Sequence, residues 1–268
     1  MAWRPTEIKR YVEPRQSSTQ VVIVETDVGL GFLKAMGNPE GDHALACDLV
    51  GNQLAEWFGL RTLEQALVTV DDIVPIKFLN GKFAALGPAL VTRAEFGEPW
   101  SGNVRQLRRL TNPEDISKLV VFDTWIINRD RHSLNRQRHD NVFLSGPFNS
   151  IHVELFAIDH THCFGVTGRI NRHAADIANW RDSAVYGLFP EFRDFLKRSV
   201  VRNCVKRLRL ISKANVERFI NKIPREWDVP SDARDALLEL IVARATFVAD
   251  NIERYLWPQK EFPFMDEA

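Results

Sequence analysis

The most informative segment of the chain is Asn128-Arg129-Asp130-Arg131-His132-Ser133-Leu134-Asn135. It places an acid and an amide, Asp130 and Asn135, five positions apart in what we expect to be a loop. Such a pair can act on one phosphate group, because the acid can orient or deprotonate an attacking hydroxyl while the amide oxygen binds Mg²⁺. The segment therefore points to phosphoryl transfer, although acids and amides are also ordinary loop residues.

A helix is predicted to lead into this loop. Asn112-Pro113-Glu114-Asp115 supplies an N-cap residue, a proline at the first helical position and acids in the first turn. Asp123 falls at helical spacing with the apolar residues Ile116, Leu119, Val120 and Ile127. A carboxylate on an apolar face needs a partner, so we expect Asp123 to support the loop that follows.

Two further charged residues could complete a phosphate site. Asp159 follows a predicted strand at 153–158, which forms a hairpin with 141–144, and it would hold Mg²⁺ against the phosphate oxygens. Lys34 ends an apolar strand, where a cation needs a partner. Asp48, in the next predicted helix, could be that partner and would place Lys34 against the phosphates of a nucleotide.

A polar turn precedes these strands, at Arg15-Gln16-Ser17-Ser18-Thr19-Gln20. Its backbone N–H groups and hydroxyls could cover the phosphates. We therefore add Ser17, Ser18 and Thr19 to Lys34 and Asp48 as candidate nucleotide-binding residues. A polar turn without a ligand is the simpler alternative, and phosphorylation of these hydroxyls is a further possibility.

Composition restricts the class of protein. The chain has 268 residues, 45% hydrophobic and 26% charged, which excludes a disordered, collagen-like or disulfide-scaffold protein. Basic and acidic residues number 35 each, so no global positive field indicates a dedicated nucleic-acid binder. The polar start with Pro5 and the absence of apolar runs of roughly 18 residues predict neither a signal peptide nor a membrane span. Three widely spaced cysteines favour the cytoplasm.

The pattern changes along the chain from strand-rich to helical. Short apolar runs predict antiparallel strands at 21–24, 30–35, 67–70, 83–86 and 89–92. One helix is predicted between them, at 45–58, and it ends at Gly59. Later helices are predicted at about 190–210, 212–222 and 231–256. This order predicts the α+β class, with a ligand site between the two parts.

At these residues the chain resembles the HipA-like kinases, which share the protein-kinase fold and have a catalytic loop close to that of phosphatidylinositol 3/4-kinases. The segments that carry the resemblance are 31–35, 54–60, 122–135 and 158–160, with a fainter match at 223–227. The resemblance implies a bilobal protein-kinase-like fold. Its N-terminal ATP-binding lobe, a small antiparallel sheet with one helix, would span 1–95, and its catalytic helical lobe would span 96–268.

The resemblance also implies roles for individual residues. It makes the protein an ATP- and Mg²⁺-dependent phosphotransferase that acts on a Ser or Thr hydroxyl of an unknown protein substrate. Asp130 would be the catalytic base, with Lys34, Arg131 and His132 in the catalytic group. Asn135 and Asp159 would bind Mg²⁺, and Lys34 would contact the α- and β-phosphates of ATP. The lysine partner is Asp48 where the family has glutamate, and the phosphate-covering turn contains no glycine.

Those two departures leave a pseudokinase as an alternative. Residues 193–222 contain ten Lys or Arg against two acids, and their apolar members recur at near-helical spacing. Such a basic helix could bind an anionic partner, either a protein or a nucleic acid, without catalysis. A solvated helix face balanced by the acidic residues that follow is the alternative explanation.

A metallohydrolase is the third interpretation. Six histidines fall within one stretch, at 132, 139, 152, 160, 162 and 173, together with Asp130 and Asp159. Carboxylate and imidazole groups suit Zn²⁺ or Mn²⁺. This interpretation leaves Lys34 and Asn135 without a task, so kinase chemistry is favoured.

Overall fold

An antiparallel sheet with one helix forms the N-terminal part of the protein in the computed structural model, which describes residues 3–133, 136–147, 150–165 and 169–258. Its strands are β1 (Ile8–Pro14), β2 (Val22–Thr26), β3 (Gly29–Lys34), β4 (Gln65–Val70) and β5 (Gly87–Arg93), and its helix is α1 (Asp42–Phe58). The strand order is β1-β2-β3-β5-β4. α1 lies between β3 and β4 in the chain, as predicted.

The β2–β3 hairpin and the end of α1 form where the sequence places them. Thr26 pairs with Gly29 around a two-residue turn. Gly29 has φ of 121°, which a side chain would disfavour. Gly59 caps α1 in the left-handed conformation, and its N–H donates to the carbonyls of Ala55 and Glu56.

Two features of the sheet differ from the prediction. The strand predicted at 83–86 is wrong: only Phe83 forms a bridge, to Lys77, and the segment is a loop. β1 was not predicted, because most of its side chains are exposed and show no alternation. As the edge strand next to β2, β1 is held by backbone pairing.

The C-terminal part is mainly helical and also contains short strands. In chain order the strands and α-helices are β6 (Gly97–Pro99), α2 (Val104–Leu107), α3 (Glu114–Ile126), β7 (His132–Ser133), β8 (Arg136–Gln137), β9 (Val142–Ser145), β10 (Glu154–Ala157), α4 (Ile177–Trp180), α5 (Arg198–Leu208), α6 (Lys213–Ile220) and α7 (Ser231–Leu256). Short 3-10 helices occur at His139–Asn141, Arg172–Ala175, Pro190–Phe195 and Arg225–Trp227. β9 pairs with β10 as the predicted second hairpin, and β6 pairs with the other edge of β9.

Tertiary contacts change two of the predicted helices. The helix predicted at 190–210 is interrupted, because Leu196 is extended and the backbone N–H of Lys197 donates to Ser117 Oγ across 2.9 Å. Asn112 does not cap α3 through its side chain. Its amide instead bonds to both backbone groups of Leu155 in β10, at 2.9 and 3.1 Å. The end of β10, from which Asp159 follows, is thereby held against α3.

Two apolar clusters stabilise the molecule. The smaller one covers the outer face of the sheet and includes Trp3, Leu33 and Val91. The larger one joins α1 to α3, α5, α6 and α7 through residues such as Leu45 and Trp125. α1 therefore packs with the helical part, and the carboxylate it carries is held at the seam between sheet and helices. In the part of the chain described here, no helix is both long and apolar enough to cross a lipid bilayer.

Candidate active site

Lys34 lies where the sheet, α1 and the segment after β10 meet. Its Nζ is 2.8 Å from Asp48 Oδ2, 3.1 Å from Asp159 Oδ1 and 3.2 Å from Thr161 Oγ1. Burial opposes the charge on Lys34, but the two carboxylates outweigh it and raise the pKa of this amine above its usual value. Lys34 is therefore a cation shared by two acids, as a phosphate-binding lysine would be before a nucleotide arrives.

Asp48 contacts both sides of the seam. One carboxylate oxygen accepts from Lys34, and the other, Oδ1, accepts the backbone N–H of His160 across 2.8 Å. The side chain is only 8% exposed. Although aspartate is one methylene shorter than the glutamate of the family, Asp48 reaches Lys34. It also connects β3, which carries Lys34, with His160.

Asp159 is held in a restricted conformation. Its φ of 57° lies in the left-handed region, which costs energy for a residue with a side chain. Thr161 Oγ1 donates to Asp159 Oδ1 across 2.7 Å. Burial favours the neutral acid, yet Lys34 and this hydroxyl outweigh burial and hold the pKa of Asp159 below its usual range. The result is an ionised carboxylate at the mouth of the seam.

Asp130 and Asn141 form the second half of the site. Asp130 is 5% exposed, and its Oδ2 accepts from Asn141 Nδ2 across 2.8 Å. Asn128 Oδ1 accepts the backbone N–H of Asp130 at 3.2 Å. Asn135, the amide predicted to bind Mg²⁺, lies outside the described residues. Asn141 was predicted only as the first residue of a strand at 141–144, and its position directly before the apolar run 142–144 is the signal that could have identified it.

Arg131 organises this half of the site from within the core. The side chain is fully buried, and its Nε lies 2.7 Å from Asp123 Oδ2. Its two terminal nitrogens donate to backbone carbonyls, Nη1 to Asn141 and Nη2 to Ile158 at 2.9 Å. Burial raises the pKa of Asp123 against the opposing charge of Arg131. The guanidinium of Arg131 thus connects Asp123 in α3 with Asn141 and Ile158. Asp123 supports the loop through this arginine, as the sequence predicts.

The predicted histidine group is divided among different packing environments. His132 packs on Phe189, with 4.8 Å between ring centroids, and burial lowers its pKa. His160 packs edge-on against Phe122, and burial lowers its pKa to about 4. Within residues 3–133, 136–147, 150–165 and 169–258, no three His, Cys, Asp or Glu side chains are grouped to hold a metal ion. These two rings serve packing in the structure.

The polar turn at 15–20, which the sequence predicts to cover the phosphates, lies between β1 and β2. Ser17 Oγ accepts the backbone N–H of Val21 across 2.8 Å, so this hydroxyl stabilises the turn itself. Thr19 is buried, whereas Ser18 is exposed. Gln20 takes a left-handed conformation, with φ of 54°, in a turn that lacks glycine. Val21 also contributes to a cavity of about 170 Å³ beside Lys34, which Asp48 and Asp159 line as well.

The basic segment 193–222 carries several charges that are already paired. Arg202 Nε lies 3.3 Å from Glu253 Oε2, and Arg209 Nη2 lies 3.0 Å from Asp250 Oδ1, so α7 partly neutralises α5 and the residue after it. Arg207 donates to the backbone carbonyl of Trp57 and lies over its ring. An anionic partner for this segment remains a prediction.

Comparison with known proteins identifies the family. The family model described as HipA-like kinase matches residues 15–257. A search of curated proteins found no match. Among solved structures, the Helicobacter pylori proinflammatory kinase CtkA is 12% identical with a TM-score of 0.59, and the match covers 92% of this chain and 96% of that one. Hydra Fam20, solved with sugar, is 11% identical with a TM-score of 0.56, covering 96% of this chain and 87% of that one.

The Golgi casein kinase is similar at the same level. It is 10% identical with a TM-score of 0.53, over 93% of this chain and 75% of that one, and it has also been solved with Mn/ADP bound. These likenesses show the α+β fold of kinases. The family model covers nearly the whole chain, and the sequence resemblance is confirmed. The chain belongs to the HipA-like kinase family and is a phosphotransferase of the kinase class.

Proposed function

We propose that the protein transfers the terminal phosphoryl group of ATP to a Ser or Thr hydroxyl of a protein substrate, with Mg²⁺ as cofactor. The observation that carries this proposal is the convergence of Asp48 and Asp159 on Lys34 at the seam, where the lysine Nζ lies 2.8 Å from one carboxylate and 3.1 Å from the other. ATP would lie in this seam, between an N-terminal lobe ending near residue 95 and the helical lobe beyond it. Lys34 would contact the α- and β-phosphates, and Ser17, Ser18 and Thr19 would lie above them.

The donor groups suit Mg²⁺. Asp159 is ionised, and the amide of Asn141 donates to Asp130 through its nitrogen, so carboxylate and amide oxygens are the available ligands. We propose Asp159 and Asn141 as the metal-binding residues, with the predicted Asn135 as the competing amide. Mg²⁺ bound here would neutralise charge on the phosphates. The use of nucleotide and divalent metal is further supported by the Golgi casein kinase solved with Mn/ADP.

Asp130 would act on the acceptor. As the hydroxyl oxygen bonds to the γ-phosphorus, the bond from that phosphorus to the β–γ bridging oxygen breaks and ADP leaves. The hydroxyl proton passes to the carboxylate of Asp130. The side-chain oxygen of Asn128 accepts the backbone N–H of Asp130, and the buried Arg131 that follows would help to position this carboxylate. His132, the next residue, packs on Phe189. The three cysteines, all free thiols, support a reducing compartment such as the cytoplasm.

Intact-mass analysis after incubation with Mg²⁺-ATP tests the function. The wild type and Asp130→Asn, which keeps the shape of the side chain, are compared with and without a mixture of unfolded and folded acceptor proteins. We expect phosphate on the enzyme or the mixture, at Ser or Thr, with the wild type alone. Equal labelling by Asp130→Asn would contradict the role of Asp130. ATP consumption without protein phosphate would move the acceptor to a lipid or small-molecule hydroxyl.

A further inference from the structure

Arg138 is a cation of the catalytic segment that the reaction proposed above does not use. It lies in the chain between Asp130 and Asn141. Its backbone N–H donates to the carbonyl of Arg131 across 2.8 Å, which folds this part of the loop back next to Asp130. The position of Arg138 is therefore set by the same loop that carries the proposed base and the amide.

The guanidinium of Arg138 forms a bidentate ion pair with the carboxylate of Asp140. Its Nε and Nη2 lie 3.0 Å from Oδ1 and Oδ2 of Asp140, respectively. Both side chains are substantially exposed, at 39% and 56%. An exposed pair of this kind contributes little to stability and exchanges partners easily. The planar fork that fits a carboxylate also fits two oxygens of a phosphate.

The carboxylates of the site act on the charge of Arg138. Its pKa is raised, first by the hydrogen bond to Asp140 and then also by the negative charges of Asp130 and Asp159. The charge of Asp159 acts on Asp140 as well. The geometry agrees: Asp140, which holds Arg138, directly precedes Asn141, whose amide contacts Asp130, so the guanidinium belongs to the half of the site that carries the proposed base.

Three other cations near the site have carboxylate partners of their own. Lys34 is shared by Asp48 and Asp159, and Arg131 is fully buried against Asp123. Arg129 approaches Asp182, at 3.8 Å. In phosphoryl transfer, negative charge spreads over the equatorial oxygens of the moving group, and a cation placed there lowers the barrier. Among the cations of the site whose side chains the structure describes, Arg138 can supply this charge by leaving an exposed partner.

We propose that Arg138 binds the terminal phosphate of ATP, exchanging the carboxylate of Asp140 for two phosphate oxygens. This inference rests on the proposed function, since it requires ATP in the seam. It assigns Asp140 a role as the resting partner that keeps the guanidinium in place before ATP binds. Arg138 takes part in no covalent step. Its guanidinium contacts the phosphoryl group before, during and after the transfer.

The test compares ATP with ADP, because only ATP carries the phosphate in question. Calorimetric affinities for Mg²⁺-ATP and Mg²⁺-ADP are measured for the wild type, Arg138→Gln, Arg138→Lys and Asp140→Asn. Arg202→Gln removes an arginine from another exposed ion pair, on α5, and serves as the matched control. We expect Arg138→Gln to weaken ATP binding by about tenfold or more and to leave ADP binding unchanged. Arg138→Lys should recover part of the loss, and Asp140→Asn should retain the wild-type preference for ATP.

The outcomes separate this inference from the function on which it rests. An unchanged ratio of ATP to ADP affinity in Arg138→Gln, with the wild type binding both nucleotides, would overturn the inference alone. Equal weakening of ATP and ADP would also overturn it, since the arginine would then support the loop. Failure of the wild type to bind either nucleotide would overturn the proposed function and this inference together.

Discussion

The side-chain amide of Asn141 donates to the carboxylate of Asp130 across 2.8 Å, although eleven residues separate the two in the chain. The short strands β7 and β8 pair between them and close the intervening segment. Arg138 then bonds back to Arg131, and the chain reaches Asn141 immediately before β9. The pairing of β7 with β8 thus brings an acid and an amide that are distant in the chain into contact.

This relationship distinguishes two asparagines. We expect Asn141→Ala to lower the rate of phosphoryl transfer by about 100-fold, because it removes both a contact to Asp130 and a proposed metal ligand. Asn135→Ala should change the rate by less than about threefold under the same assignment. Steady-state rates at several Mg²⁺ concentrations measure both effects. A large loss of rate in Asn135→Ala, with Asn141→Ala still active, would mean that Asn135 is the metal-binding amide, as inferred from the sequence.

Removal of Lys34 should abolish transfer. Lys34→Met leaves the carboxylates of Asp48 and Asp159 without the cation between them, and we expect at least about a 100-fold loss of rate. Asp48→Asn keeps Asp159 as a partner of the lysine and should cost about tenfold. Initial rates across an ATP titration measure these losses, and circular dichroism checks the fold. Wild-type rates in Lys34→Met would exclude the lysine from the reaction.

Asp123 and Arg131 form a fully buried ion pair that connects α3 to the segment carrying Asp130. Asp123→Ala leaves the guanidinium without its carboxylate, which should lower the free energy of unfolding by about 3–5 kcal/mol. The variant with both Asp123→Ala and Arg131→Met should lose less than the sum of the two single changes. Urea unfolding measures these energies. Strict additivity would show that the two side chains do not stabilise each other.

Gly51 lets α1 approach the segment after Asp159. A Cβ at this position would overlap the Cβ of His160 and come within 3.6 Å of Cys163 Sγ. Within a helix, glycine to alanine normally gains about 1 kcal/mol, but here overpacking should reverse the sign and cost about 1–3 kcal/mol. Thermal unfolding of Gly51→Ala measures the change. A gain in stability would mean that the seam between α1 and His160 relaxes without strain.

The thiol of Cys204 should stay unreactive in alkaline solution. Burial raises its pKa to about 12, so the thiolate, which is the reactive form, is scarce even where an exposed cysteine has largely ionised. When the pH is raised from about 7 to about 9, we expect alkylation of a model thiol to accelerate. Cys204 of the folded protein should stay unmodified over the same change. Mass mapping after iodoacetamide treatment measures this, with the urea-unfolded chain as the positive control. Rapid alkylation of the folded protein would contradict the buried position.

Local signals in the sequence were sufficient for much of the fold. The apolar runs around Gly29 predicted the first hairpin, and Gly59 marked the end of α1, because short-range periodicity and backbone preferences decide such features. Where neighbours in space intervene, the prediction was wrong. Asn112 bonds to β10 and does not cap α3, and Ser117 holds the interruption before α5.

The candidate site divides in the same way. By itself the sequence determined the kinase class, through the segments that resemble the HipA-like kinases, and it indicated that Asp123 must have a partner. Only the tertiary structure decided that this partner is Arg131, that Asp48 contacts both Lys34 and the backbone of His160, and that Asn141 faces Asp130. Residue types and spacing carry the chemistry of a site, since each group has fixed charges and donors. Which of these groups come into contact depends on where the helices and loops position them. Those positions are determined by packing between segments that are distant in the chain.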